Sequence, residues 1–379
     1  MDQLFVNLKT WFLNLLGLFL PDWLVMLASI VVSGVVILCL GPFIMMYLTL
    51  LERKVIGRIQ NRYGPNRVGP WGLLQPVADG IKMFTKEDII PAYGDKLIHL
   101  LAPIVIVVPA LMVFLVVPFG RNMTAVDLSI GALYFLAISS ITTFPIFMGS
   151  WASRNKYSML AGMRTAAQMV SYEIPMTLAI VPVIMMSQSL STGAIVAAQN
   201  GLKWFVFTPW GLVGFLIFFF CAIVECNRPP FDLPEAESEL IAGFHTEYSG
   251  MKFAFFYMAE YMNAFTLAAI AVTLFLGGWQ GPLFPSWLWF FGKTFALIFM
   301  MIWFRGTFPR FRVDQLMGFA WKFLLPMTLV NILVTGFWHF NPGAVGWGVS
   351  GAVLVGFFFA ITALNRPFVP EKRIYELAE

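Results

Sequence analysis

The chain has 379 residues, of which 59% are hydrophobic and 12% charged, with a mean hydropathy of +0.79. Soluble domains carry roughly a quarter charged residues, so this balance excludes a water-soluble enzyme. The formal net charge of +4 is a topology signal and not a nucleic-acid footprint.

Repeated apolar runs of about 18 residues or more predict helices, because barrel strands would alternate in short segments. The fold class is therefore an all-α integral membrane protein, one polytopic domain over 1–379. In residues 4–20, apolar side chains at 4, 8, 11, 12, 15, 16 and 19 make a helical stripe with Asn7, Lys9, Thr10 and Asn14 off it. That pattern predicts an amphipathic helix lying on the bilayer surface. A cleaved signal peptide would need a basic start and an A-x-A site, and neither is present.

About nine transmembrane helices follow, near 23–51, 98–119, 127–150, 158–188, 209–227, 252–278, 286–304, 315–338 and 344–364. Of the 24 Lys and Arg, 19 fall in the linkers after spans one, three, five and seven, at the span ends facing them, or in the C-terminal tail. Lys9, Arg121, Lys203 and Lys293 lie on the other side, and Lys322 is inside span eight. The positive-inside rule then sets the N-terminus outside and the C-terminus in the cytoplasm or matrix.

The first long linker, 52–96, opens ERKVIGRIQNRYGPNRVGPWG and continues LLQPVADGIKMFTKED. Leu73, Leu74, Val77, Ile81 and Phe84 sit at helical spacing, with Asp79, Lys82 and Lys86 opposite. One reading is a basic anchor with an interfacial helix; the other is an entrance for a lipid-like ligand beside the first span.

Span four places Arg164, Gln168, Tyr172 and Glu173 along one face, and Glu173 lies about 22 Å into the helix at 1.5 Å per residue. Span six carries Glu260 about 12 Å in, beside Tyr257 and Tyr261. Ionisable groups at such depth point to function. The plainer alternative is a salt bridge with Arg164 or Lys322.

Between spans five and six, 225–251 forms an acidic loop. The stretch 221–261 holds seven of the 20 acidic residues: Glu225, Asp232, Glu235, Glu237, Glu239, Glu247 and Glu260. A helix start at Asp232–Pro234 accounts for acids just behind it through the helix dipole. It does not account for Glu225, Glu239, Glu247 and Glu260 gathering at one membrane edge. The arrangement reads as a water-filled acidic funnel that exchanges protons. After span seven, Arg305, Arg310 and Arg312 offer counter-charges to the funnel or contacts to a partner, while 344–364 carries no charge and reads as a peripheral span.

The remaining chemistry is sparse. Cys39, Cys221 and Cys226 make no CxxC and are expected to be buried free thiols. His99, His245 and His339 are too scattered for a metal site, and no GxGxxG or Walker loop occurs. We therefore expect no metal, FMN, iron–sulfur cluster or NAD bound by this chain.

LERKVIGRIQNRYGPNRVGPWGLLQPVADGIKMFTKE, ECNRPPFDLPEAESELIAGFHTEYSGMKFAFFYMAEY and the SYE of span four together resemble the family of membrane H subunits of respiratory NADH:quinone oxidoreductase, or complex I, with its mitochondrial subunit 1 counterparts. The likeness covers roughly 45–310. It implies a quinone-tunnel component, with quinone as substrate and electrons arriving from an iron–sulfur cluster in another subunit, so that no catalytic residue is complete here. It also implies a proton path on Glu173, Glu225, Glu235, Glu237, Glu239, Glu247 and Glu260. Arg53, Arg62, Asp79, Arg228 and Phe231 fall on tunnel-lining or tunnel-mouth positions. Implied partners are the hydrophilic quinone-site and cluster-bearing subunits, the small membrane subunits beside the antiporter-like ones, and membrane lipid. The implied location is the bacterial inner membrane, or alternatively the mitochondrial inner membrane. A stand-alone proton- or cation-coupled carrier would show an internal repeat, which is absent. The equivalent anchor of a membrane-bound hydrogenase remains an alternative, although the long basic 52–96 segment favours the quinone enzyme.

Overall fold

In the computed structural model the described residues are 4–18, 21–201, 203–233 and 241–364, so Glu235, Glu237 and Glu239 lie outside them. Every regular element among these residues is helical. In chain order they are α1 (Leu4–Gly17), α2 (Asp22–Ile59), α3 (Gln75–Thr85), α4 (Lys96–Met112), α5 (Gly131–Ile141), α6 (Thr143–Ala152) and α7 (Lys156–Ser187). Then come α8 (Thr192–Ala198), α9 (Pro209–Glu225), α10 (Gly250–Phe275), α11 (Ser286–Thr307), α12 (Val313–Phe319), α13 (Leu325–Phe340) and α14 (Ala344–Leu364). Among the described residues, eight segments are long and apolar enough to cross a membrane: α2, α4 with the turn after it, α5–α6, α7, α10, α11, α12–α13 and α14. The apolar α9, at 17 residues, completes the expected nine and is just long enough for a hydrocarbon core.

The bundle is built around α10, which packs against α2, α4, α7, α9 and α11. From Ala264 to Phe275 every residue of α10 is buried. This stretch is apolar on all sides and rich in alanine, so neighbouring helices can approach closely from every direction. Nothing in that half of α10 needs water. Its other half carries Tyr261 and Glu260, which set the site described below.

Three local features depart from the sequence expectation. The helix α2 continues through Ile59, two turns past the apolar run, because ERKVIGRI contains helix formers and its Glu52 faces the bundle. The third span is broken at Thr142. Pro145 has no N–H for the Ile141 carbonyl, and the Thr142 hydroxyl donates to the Ser139 carbonyl at 2.7 Å instead. Cys221 and Cys226 are buried thiols as expected, but Cys39 is exposed on α2. An apolar helix does not reveal which face meets lipid, since lipid tails are as apolar as a core.

Two helices carry exposed apolar side chains outside the long spans. On α1, Leu8, Trp11, Phe12 and Leu15 point outward, while Lys9 Nζ donates to Ser33 Oγ of α2 at 2.9 Å. On α3, Leu74, Val77, Ile81 and Phe84 are exposed and Asp79 turns toward α2. Apolar side chains facing out in such a row suit a membrane surface better than water. The turn before α3 needs Gly72, whose φ is +77° and whose Cβ would run into the Pro65 carbonyl. The peripheral α14 buries only Gly346, Ser350, Leu354 and Ile361, against α9 and α13.

Candidate functional site

Where α2, α10 and α11 meet, four charged side chains form one network. Glu52 is 4% exposed; it follows Ile44 and Leu48 on the buried stripe of α2. Arg228 sits in the turn after α9 and approaches both Glu52 oxygens, with Nη1 at 3.0 and 2.8 Å. Its Nε lies 3.0 Å from Glu260 Oε1, an ion pair and not an aligned hydrogen bond. Arg305 of α11 makes a very short ion pair with Glu52, and Tyr261 donates its hydroxyl to Glu52 at 2.7 Å. The Arg228 guanidinium also lies over the Tyr261 ring, 4.0 Å from its centroid.

Two carboxylates and two guanidiniums balance in charge, which allows them to remain ionised away from water. For Arg228, burial pushes the pKa down, but Glu260 and Glu52 more than offset it and hold the guanidinium firmly protonated. The turn that presents Arg228 is itself fixed. Gln168 of α7 donates to the Val224 and Phe231 carbonyls, both at 3.0 Å, bracketing that turn.

The network stands between a large cleft and two small cavities. The cleft, about 880 Å³, is lined by Arg53, Ile56, Arg62, Gln75 and Arg305, among others. Arg305 is shared with a cavity of about 30 Å³ that also borders Glu52, Arg228 and Tyr261. A second cavity of about 30 Å³ touches Glu260, Glu225, His245 and Asn263. Each has room for about one water molecule. Beyond it, Glu225 is 9% exposed at the end of α9 and lies near the half-buried Glu173 of α7, the helix packed against α9. Cleft, network and deep carboxylates thus follow one another as Arg305, Glu52, Arg228, Glu260, Glu225 and Glu173.

The other residues singled out from the sequence are distributed as follows. Arg53 and Arg62 line the cleft, and Asp79 holds Arg53 Nη1 at 2.6 Å. Phe231 is buried between Phe220 and Phe311, with ring centroids at 4.9 and 5.4 Å. Glu247 accepts from Asn155 Nδ2 at 2.8 Å and borders a different surface cleft with Arg154 and Lys156. Asp232 pairs with Arg310 at 3.2 Å. The plainer alternative for the deep acids, a salt bridge, applies in part to Glu260, which pairs with Arg228, a cation that the sequence reading did not name for it. Glu52 was missed, because its LERK context reads as a basic anchor. Its spacing of four from Leu48 on an apolar stripe was the signal that could have found it.

Asp79 fastens α3 to α2. Partial burial raises its pKa, but hydrogen bonds from Arg53 and Gln75 and the charges of Arg53 and Lys82 outweigh it, leaving the carboxyl below its usual value. A depressed carboxyl pKa stabilises the fold above the unfolded-state value, and that stability disappears as pH falls through the folded value. Hydrogen exchange across 75–85 in Asp79→Asn should therefore be a few-fold faster at neutral pH, the size of a partly exposed ion pair. Unchanged exchange would mean that α3 is held by its backbone contacts alone.

Comparison with known proteins gives one consistent family. A family model described as NADH dehydrogenase matches residues 32–336. The chain is 51% identical over 311 residues to the H subunit of the NADH-quinone oxidoreductase of Dehalococcoides mccartyi, covering 82% of this chain and 86% of the relative. It is 47% identical over 344 residues to an H subunit of the same oxidoreductase in Geobacter metallireducens, covering 85% and 98%. The corresponding protein of Syntrophobacter fumaroxidans is 49% identical over 325 residues, covering 83% and 96%.

Proposed function

Because the chain belongs to the NADH dehydrogenase family, that of the H subunits of NADH-quinone oxidoreductase, we propose that it forms the membrane end of the quinone tunnel and couples quinone reduction to proton translocation. It is a multi-pass membrane component of that oxidoreductase, and it works with the complex's other subunits. The N-terminus lies outside and the basic loops face the cytoplasm, where hydrophilic subunits dock and close the cleft over Arg53 and Arg62.

One observation carries this reading: a charge-balanced network joins an arginine-lined cleft to a series of buried and half-buried carboxylates. Quinone reduction consumes protons along with electrons. Any change of charge or position at the cleft reaches Glu52 through Arg305, and Glu260 through Arg228. A buried pair strained in that way shifts the proton affinity of the next carboxylate, Glu225, across a cavity large enough for water. Glu225 then passes the perturbation to Glu173. Glu235, Glu237, Glu239 and Glu247 are assigned to the same proton path.

The tunnel half of the proposal has its own test. Val77 and Ala78 lie on α3 next to Asp79, which orients Arg53 at the cleft. Bulky apolar replacements there, such as Ala78→Phe, should impair reduction of long-tailed quinones several-fold more than short-tailed ones. Equal loss with both tail lengths would indicate general damage to the fold and remove α3 from the tunnel mouth.

A further inference from the structure

On the far side of α2 from the quinone cleft lies a second groove, about 480 Å³, between the ends of α2 and α11. Its lining is Lys54, Val55, Arg58, Ile59, Phe299 and Trp303. These residues form three pairs at spacing four: two basic, two aliphatic and two aromatic. Phe299 and Trp303 are half exposed, and Arg58 and Ile59 are exposed beside them. The apolar walls belong to the membrane-crossing part of α11, whereas Lys54 and Arg58 stand past the apolar run of α2, at the level where headgroups lie. Trp303 occupies the interfacial position typical of such belts.

We propose that this groove binds an anionic phospholipid, its phosphate held by Lys54 and Arg58 and an acyl chain laid against Phe299 and Trp303. Charge complementarity selects the occupant. A quinone ring has no anion for two cations, and a zwitterionic lipid offsets its phosphate with its own amine. The basic side chains are already oriented. Lys54 Nζ donates to the Trp71 carbonyl at 2.5 Å, using one of three donors, and the Arg58 guanidinium rests 5.4 Å from the Tyr63 ring centroid. The bound lipid would brace the same two turns of α2 whose other face presents Arg53 and Ile56 to the cleft. The inference depends on membrane placement and not on the quinone reading.

The test uses the assembled oxidoreductase in nanodiscs doped with phosphatidylglycerol carrying a photoactivatable acyl chain, with the matched phosphatidylcholine as control. Cross-links mapped to the peptide containing Phe299 and Trp303 should be several-fold more abundant with the anionic lipid. Lys54→Gln with Arg58→Gln should lower them roughly tenfold, while Lys54→Arg with Arg58→Lys keeps them. Inorganic phosphate should not compete, which separates a lipid site from a free-anion site. NADH oxidation by an artificial acceptor verifies assembly of each variant. Equal labelling by both lipids, labelling indifferent to the double Gln change, or a groove closed to both lipids by another protein of the complex would each overturn the proposal.

Discussion

Arg228→Gln should abolish quinone-linked NADH oxidation and deplete the assembled enzyme from membranes. Arg228 faces Glu52 and Glu260, and it is 8% exposed. Removing it takes that cation from Glu260 and leaves Glu52 with Arg305. Breaking a buried pair by deleting one partner costs roughly 3–5 kcal/mol, because the surviving charge cannot regain water. A mesophilic domain has only about 5–15 kcal/mol in total, so a loss of that size is seen as missing protein as well as missing activity. Adding Glu260→Gln removes one of the stranded charges, and the double variant should recover part of the assembled enzyme without recovering quinone-linked turnover. A double variant as depleted as the single one would show that Arg228 acts through packing on Tyr261 and not through its charge pairs.

Glu225→Gln should act differently. The replacement keeps the volume of a side chain that closes α9 and borders the cavity shared with Glu260, so assembly is preserved. It removes the group that can accept and release a proton. Quinone-linked NADH oxidation should fall at least about tenfold, since a positioned proton carrier typically contributes more than that. Oxidation by an artificial acceptor, which takes electrons before the quinone, should stay near normal. Loss of both activities together would indicate a damaged complex and return Glu225 to a structural role.

How much of this site was legible in the sequence depended on the residue. Glu173 and Glu260 could be recognised because hydropathy alone measures how deep a carboxylate lies in a span, and an ionisable group at that depth points to function or to a buried ion pair. The tie between α3 and α2 was half visible, since the apolar stripe of 73–84 fixed which face Asp79 occupies. Glu52 was hidden, because an acid among Lys and Arg at the end of an apolar run looks like part of a solvated anchor. Only the continuation of α2 to Ile59 turns it inward. Arg228 was expected at the tunnel mouth, and its position bridging Glu52 and Glu260 depends on α2, α9 and α10 converging from 176 and 32 residues away in sequence. Pairings of that range leave no local pattern. Lipid-facing and bundle-facing apolar residues are equally unreadable, as Cys39 demonstrates.

In the proposed mechanism protons are coupled to quinone reduction through Glu225 and Glu173, and proton pumping by Glu173→Gln tests that coupling. The variant enzyme is reconstituted into liposomes, supplied with NADH and a short-tailed quinone, and the acidification is read with a pH-sensitive dye. Acceptor-linked NADH oxidation serves as the measure of intact enzyme. Quinone-driven pumping should fall at least about tenfold while acceptor-linked oxidation is retained. Glu173→Gln pumping at the wild-type rate would overturn that assignment and leave Glu173 as a half-buried side chain of α7 with no part in the path.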